Sequence, residues 1–178
     1  MHKEAMRKVV SSLFIPLLLL CDPLSHSSVN RSYVMIIYGY RDCELCIRTV
    51  RLLRNLMKGA KLVFLDMSNR NVTASFLTIL YMLGNANIPL PFICPACVTK
   101  EVIIKYLKMN IPLVIIVKNG RLVGIIAGFH NKSSWSNFLR YLDGDGVPKY
   151  IIDGLAIPLK SLSLRKELMK VIYCTLKA

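Results

Sequence analysis

Two cysteines separated by two residues, Cys43 and Cys46, constrain the fold of this 178-residue chain more than any other feature. An almost continuous apolar run, Tyr33–Gly39, precedes them, as expected for a strand buried on both faces of a sheet. After them, apolar residues recur at helical spacing as far as Met57. Four basic residues give this helix a solvated face: Arg48, Arg51, Arg54 and Lys58. The pattern places a CxxC motif between a buried strand and the N-terminus of an amphipathic helix.

The same alternation of strand and helix continues along the chain. Residues 61–67 form a second apolar run and are predicted to be a strand. Residues 71–83 return to helical spacing, and Gly84 is expected to end that helix. A strand–helix–strand–helix order predicts an α/β unit with parallel central strands.

A β-hairpin is predicted further along, because Asn119-Gly120 lies between the apolar runs 113–117 and 122–127. Three further helices are predicted from apolar periodicity, over residues 98–109, 133–142 and 162–176. The last of these is basic and amphipathic, and we expect it to pack against the domain rather than lie on a membrane.

From Tyr33 to about Leu142, the order of these elements resembles the thioredoxin superfamily. Two segments carry the resemblance. Cys43-Glu-Leu-Cys46 lies between strand and helix, and Ile111-Pro112 precedes the hairpin in the manner of the family's cis-proline segment. The resemblance implies an α/β thioredoxin-like fold, a central mixed sheet flanked by helices, with an insertion before the cis-proline and a C-terminal helical extension. It also implies that Pro112 is cis and lies against the dithiol, that Cys43 attacks and that Cys46 resolves.

The chain departs from the family pattern beside the motif. Ile37 replaces the buried acid that thioredoxins carry six residues before the first cysteine, and Asp42 replaces the usual tryptophan. Asp42 and Glu44 place negative charge beside Cys43 and disfavour its thiolate, with a partial offset from Arg41. A less stabilised thiolate favours the disulfide, so the reduced protein is predicted to be an electron donor.

A second CxxC pair, Cys94 and Cys97, also precedes a predicted helix, within the insertion. Three interpretations stay open: a second redox pair that exchanges electrons with Cys43 and Cys46, a structural disulfide or zinc site, or inert buried thiols. Zinc at Cys94 and Cys97 is the weaker alternative, because no histidine is near them in sequence: the chain has His2, His26 and His130. No cofactor is predicted.

The chain divides into three parts. Residues 1–32 are predicted to be a signal peptide or membrane anchor and linker, because three basic residues precede an apolar run from 9 to 21 that is shorter than a bilayer span. Residues 33–142 are the thioredoxin-like domain, with its insertion at about 85–98, and residues 143–178 are a C-terminal extension. The leader favours an extracytoplasmic or membrane-anchored location over the cytoplasmic alternative. Three glycosylation sequons also favour an extracytoplasmic location, at Asn30, Asn71 and Asn131.

The net charge of the chain limits the classes of partner that it is expected to bind. Lys and Arg number 24 against 10 Asp and Glu, a formal net charge of +14. The cations occur singly and in pairs along the whole chain, without the basic runs or interleaved aromatics that single-stranded nucleic acid prefers. We therefore predict acidic partners or an anionic membrane surface, and no nucleic acid.

The function predicted from these features is thiol–disulfide exchange. The substrates are expected to be protein disulfides or dithiols, with an unknown redox partner, and the working pair is expected to be Cys43 and Cys46. The alternative is a zinc-stabilised or catalytically idle thioredoxin-fold interaction module.

Overall fold

The computed structural model describes residues 33–85, 110–144, 146–152 and 154–177. Three sequence-based predictions lie outside the described residues: the leader over 1–32, the second cysteine pair, and the helix over 98–109. Among the helices that are described, none is long and apolar enough to cross a membrane.

Helices and strands alternate along the described residues. The elements are β1 (Tyr33–Gly39), α1 (Glu44–Leu56), β2 (Lys61–Asp66), α2 (Arg70–Asn85), β3 (Leu113–Lys118), β4 (Arg121–Ala127), α3 (Lys132–Gly144), β5 (Lys149–Ile152), β6 (Leu155–Pro158) and α4 (Leu162–Lys177). This part of the chain is therefore an α/β structure, as predicted.

One mixed sheet contains all six strands, in the order β2-β1-β3-β4-β5-β6. Strand β1 pairs in parallel with β2 and antiparallel with β3. The β3–β4 hairpin turns at Asn119 and Gly120, whose φ angles of 51° and 72° are those of the tight turn that Asn-Gly favours. Strand β5 joins β4 in parallel, and β6 closes the row antiparallel to β5.

Each face of the sheet carries its own apolar core, because successive side chains of a strand point to opposite faces. Met35 and Ile37 of β1 pack with α1 and α3, whose contributions include Leu53 and Trp135. Residues of the alternate register, among them Ile36 and Tyr38, pack with α2 and α4. Strand β1 is apolar throughout because both of its faces are covered.

Side-chain caps mark where the helices begin. Cys43 is the N-cap of α1, and the Asn69 side chain accepts the Asn71 N–H at the start of α2. Asn131 accepts the Ser134 N–H (2.9 Å) at the start of α3, and Ser161 accepts the Leu164 N–H (3.2 Å) in the first turn of α4. Of the two described sequons, the one at Asn131 is therefore a helix cap, whereas Asn71 is exposed just beyond a cap.

The structure differs from the sequence-based prediction at two places. Helix α2 continues through Gly84 to Asn85, so the prediction that Gly84 ends the helix is wrong; the cost of glycine inside a helix, about 1 kcal/mol, is tolerated here. Residues after 142 supply strands β5 and β6 as well as the predicted helix, and these strands extend the sheet. Helix α4 packs against the sheet, as expected, through buried residues that include Leu168 and Val171.

A buried chain of hydroxyl groups links three elements on the α2 and α4 side. The hydroxyls of Tyr38 and Ser75 are hydrogen-bonded at 2.9 Å, and the Thr175 hydroxyl donates to Ser75 Oγ at 2.6 Å. Burial raises the pKa of Tyr38, and the hydrogen bonds with Ser75 and Thr175 oppose that rise in part. Strand β1 is thus tied by polar contacts to α2 and α4 directly before the CxxC segment.

The raised pKa of Tyr38 predicts a loss of stability in alkali. The unfolded chain releases this proton near the ordinary value of 10.0, while the folded chain retains it. The stability contributed by neutral Tyr38 is therefore complete below about pH 10 and is lost as the pH rises through the folded pKa. We expect Tyr38→Phe to lower the free energy of unfolding at neutral pH by about 1 kcal/mol through the lost hydrogen bond.

The same variant should lose less stability than the wild type between about pH 9 and about pH 11, because it has no phenol to titrate. Urea unfolding at stepped pH measures both effects. Parallel stability curves for the two proteins over that range would contradict the prediction.

Candidate redox site

Cys43 and Cys46 are joined by a disulfide at the first turn of α1, with their Cα atoms 5.2 Å apart. That separation lies within the range of about 4.4–6.8 Å that disulfides require. A tight turn leads into the motif, in which the Cys43 N–H donates to the Tyr40 carbonyl at 3.2 Å. The helix then brings the second cysteine of the CxxC spacing back beside the first.

The two cysteines differ in exposure. Cys46 is 0% exposed and belongs to the apolar core on the α2 side of the sheet. Cys43 is half-buried and packs at the edge of the same core. A partner molecule therefore reaches Cys43 first, which agrees with the roles that the family resemblance implies for the two residues.

The start of the helix directs hydrogen-bond donors at Cys43. The Cys46 N–H donates to Cys43 Sγ at 3.3 Å, and the Ile47 N–H donates to the Cys43 carbonyl at 3.1 Å. When the disulfide is reduced, a thiolate at Cys43 would lie at the positive end of the helix dipole with this donor in place. The N-cap position therefore favours negative charge on Cys43.

Two ion pairs offset most of the charges around the motif. Arg41 Nε lies 2.8 Å from Asp66 Oδ2, and Glu44 pairs with Arg48 one helical turn later. Asp42 is exposed and makes no ion pair with any residue that the structure describes. The sequence interpretation weighed Asp42 and Glu44 against Arg41 alone. Once Asp66 and Arg48 are included, the five charges sum to a single negative charge.

Asp66 is the last residue of β2, and it pairs with Arg41 in the turn that precedes the motif. The Ser68 N–H donates to Asp66 Oδ1 at 3.0 Å, and this hydrogen bond, followed by the Arg41 guanidinium, lowers the pKa of the Asp66 carboxyl. The lowered pKa keeps Asp66 ionised down to acidic pH, so it remains able to pair with Arg41.

Gly39, the last residue of β1, makes room for the buried sulfur. A Cβ atom at this position would lie 2.7 Å from Cys46 Sγ and 3.4 Å from Phe64 Cε2. Two such atoms do not approach within 3.0 Å, so any side chain here displaces the sulfur. The sequence interpretation missed this role, although a glycine at the end of an apolar strand is the signal of a close approach.

Pro112 lies at the same end of the sheet as the disulfide. The Ile111–Pro112 peptide bond is cis, as the family resemblance implied. Leu113 pairs with Tyr38 in the β1–β3 ladder, so Pro112 lies one position further along, beside Gly39. Ile111 belongs to the same apolar core as Cys46.

The remaining cysteines and histidines do not join this site in the described part of the chain. Cys94 and Cys97 lie outside the described residues, and the zinc alternative at that pair lies there too. Cys174 in α4 is buried and disulfide-bonded. His130 contacts the Ala127 carbonyl at 2.8 Å, and no described group of three His, Cys, Asp or Glu residues is placed to hold a metal ion.

Comparison with known proteins does not assign the chain to a family. No model of a known protein family matches it, and no curated protein matches its sequence.

The close approach at Gly39 predicts the effect of adding a methyl group there. Gly39→Ala should lower the free energy of unfolding by about 1–3 kcal/mol, because its Cβ overpacks against Cys46 Sγ. The loss should be smaller by about 1 kcal/mol in a Cys46→Ala background, which lacks that sulfur.

The matched control is Gly39→Ala in a Cys43→Ala background. The Cys43→Ala and Cys46→Ala backgrounds both lack the disulfide, but only Cys43→Ala retains the buried Cys46 sulfur. There the loss should keep its full size. Urea unfolding of the two pairs of proteins measures the difference, and equal losses in both backgrounds would refute the role assigned to Gly39.

Proposed function

We propose that this chain is a thioredoxin-like thiol–disulfide oxidoreductase that exchanges protein disulfides through Cys43 and Cys46. The observation that carries the proposal is the unequal exposure of the two sulfurs at a helix N-terminus: Cys43 is accessible, while Cys46 is fully buried behind it. The strand order β2-β1-β3-β4 is compatible with a thioredoxin-like fold, as is the placement of α1 and α3 opposite α2. The cis peptide bond before Pro112 supports the same assignment.

In the reducing direction, the Cys43 thiolate attacks one sulfur of a partner disulfide. A bond forms between Cys43 Sγ and that sulfur, the partner's S–S bond breaks, and its second sulfur leaves as a thiolate that takes a proton from water. The hydrogen bond from the Cys46 N–H and the helix dipole stabilise the attacking thiolate.

Cys46 completes the exchange. After losing its proton, its sulfur attacks Cys43 Sγ, the mixed disulfide breaks, and the partner leaves with two thiols. The partner disulfide thereby gains two electrons and two protons, which the dithiol loses. A second partner, itself a dithiol, must reduce the Cys43–Cys46 disulfide before the next cycle.

The fate of the Cys46 proton distinguishes this chain from the family pattern. Ile37 stands where thioredoxins carry a buried acid, and its side chain is fully buried in the core on the α1 side of the sheet. An alkyl side chain cannot accept a proton, so the proton passes to water or to the departing thiolate. This feature favours slow resolution and a long-lived mixed disulfide.

Exchange itself provides the first test. The reduced wild-type protein should reduce the disulfide of insulin, and Cys43→Ser should abolish that activity because it removes the accessible nucleophile. Cys46→Ser should still attack but should accumulate a mixed disulfide, which non-reducing mass spectrometry detects. Wild-type protein that neither reduces nor re-forms disulfides, or that holds stoichiometric zinc on its cysteines, would instead support the interaction-module alternative.

The unbalanced charge of Asp42 predicts a shift in reduction potential. Asp42→Asn should stabilise the Cys43 thiolate and hence the reduced form, raising the potential by about 10 mV at about pH 9. The shift should shrink as the pH falls, because protonation of Cys43 removes the negative charge that Asp42 repels.

The control for this shift removes an ion pair instead of a net charge. Glu44→Gln combined with Arg48→Gln should leave the potential within about 5 mV of the wild type. Equilibration against glutathione at about pH 9 and at about pH 6 measures the potentials of the three proteins. A fall in potential on Asp42→Asn would contradict the electron-donor interpretation. The relay to Cys94 and Cys97 stays a prediction from the sequence.

A further inference from the structure

The exposed side of α1 carries cations from Arg48 to just past the helix end. Three arginines lie on it, and a lysine just past the helix end continues it; we call these four residues the α1 basic face: Arg48, Arg51, Arg54 and Lys58. All four are exposed, while Cys46 and Leu53 mark the opposite, buried side of the helix.

The charges of this face are mostly uncompensated. Glu44 is the one acid on the exposed side of α1, and it pairs with Arg48. Arg51, Arg54 and Lys58 form no ion pair with any residue in the described part of the chain. Three neighbouring cations without counter-ions attract negative charge from solution, so they raise the local concentration of an acidic partner.

Two exposed apolar side chains lie between Cys43 and Arg48 in the sequence. Leu45 is 44% exposed and Ile47 is 38% exposed, and both lie within the first turn of α1 next to Cys43. Exposed apolar surface at this point offers contact to the residues that flank a partner's cysteine. A partner that contacts these side chains beside Cys43 has the basic face further along the same helix.

Helix geometry sets the spacing that such a partner needs. Arg51 follows Cys43 by eight residues and Arg54 by eleven, which correspond to about 12 Å and about 16 Å along the helix axis. An extended peptide covers about 3.3 Å per residue, so about four to five of its residues span these distances. Acidic residues directly beside the partner's cysteine would instead meet the negative charge of Asp42.

On the basis of the proposed function, we propose that the exchange partners of Cys43 are acidic protein segments. Their reactive cysteine has Asp or Glu residues about four to five positions away, and these side chains bind the α1 basic face. The face begins at Arg48, five residues after Cys43 on the same helix, so a partner bound at the reacting sulfur is the molecule that the cations contact.

Four peptides of equal length test the proposal, each carrying one cysteine as a mixed disulfide with a chromogenic aromatic thiol. Two have glutamates about four and five residues from the cysteine. In one of these peptides the glutamates precede the cysteine, and in the other they follow it. The third has lysines in place of the glutamates, and the fourth has its glutamates next to the cysteine. Stopped-flow absorbance gives the rate constant for each peptide with the reduced full-length protein.

At low ionic strength we expect at least one of the spaced acidic peptides to react about tenfold faster than the lysine peptide, and also faster than the peptide with adjacent glutamates. Added salt should reduce the preference, because it screens exposed charges. Arg51→Glu combined with Arg54→Glu should abolish or reverse the preference.

The matched control reverses two exposed lysines at the start of α4, Lys160→Glu and Lys166→Glu, which lie on the opposite side of the sheet and change the net charge equally. This control should keep most of the preference for the acidic peptide. An equal loss in both double variants would mean that overall charge, and not the α1 basic face, sets the rate, and would overturn the proposal.

A neutral disulfide, dipyridyl disulfide, separates failure of this proposal from failure of the proposed function. No reaction with it would refute exchange itself, whereas reaction with it but equal rates for all four peptides would refute only the acidic-partner proposal. Vesicles with about 30% anionic lipid test the competing occupant. Vesicle binding that Arg51→Glu and Arg54→Glu abolish, without any peptide preference, would assign the face to a membrane and overturn the proposal.

Discussion

Burial of β1 on both faces and along both edges is the constraint on which the rest of the described structure depends. Its two neighbours in the sheet pair with it in opposite senses, and its alternating side chains supply both cores. A strand in this position has no solvent-facing side, so its sequence is apolar throughout. Its final residue, Gly39, then brings bare backbone against Cys46. The position of the redox pair follows from the position of this strand.

Local patterns predicted much of the fold. The bounds of β1 and the Asn119-Gly120 turn follow from signals contained within a few residues, and the structure agrees with both. Strands β5 and β6 are four residues each, and they form because the edge of β4 is available to them. Strand pairing of that kind depends on partners that are distant in the sequence, so the local pattern of apolar residues does not predict it.

The same division holds at the site. The helix N-terminus at Cys43 was predictable because capping is local. The Glu44–Arg48 pair was also readable from its four-residue spacing, although the sequence interpretation did not use it. The Asp66–Arg41 pair was not predictable from the sequence, since Asp66 reaches Arg41 only after β2 has paired with β1. The electrostatic balance around Cys43 is therefore a property of the sheet as much as of the motif.

The hydroxyl chain through Tyr38, Ser75 and Thr175 has a consequence for the order in which the molecule forms. The bond between Ser75 and Thr175 joins residues 100 positions apart, and it closes the core in which Cys46 is buried. Non-local closure of this kind is slow compared with helix formation. During synthesis the cysteine pair emerges long before α4, so the core that contains Cys46 is complete only after that helix has formed. The last part of the core around the buried sulfur is therefore added late in folding.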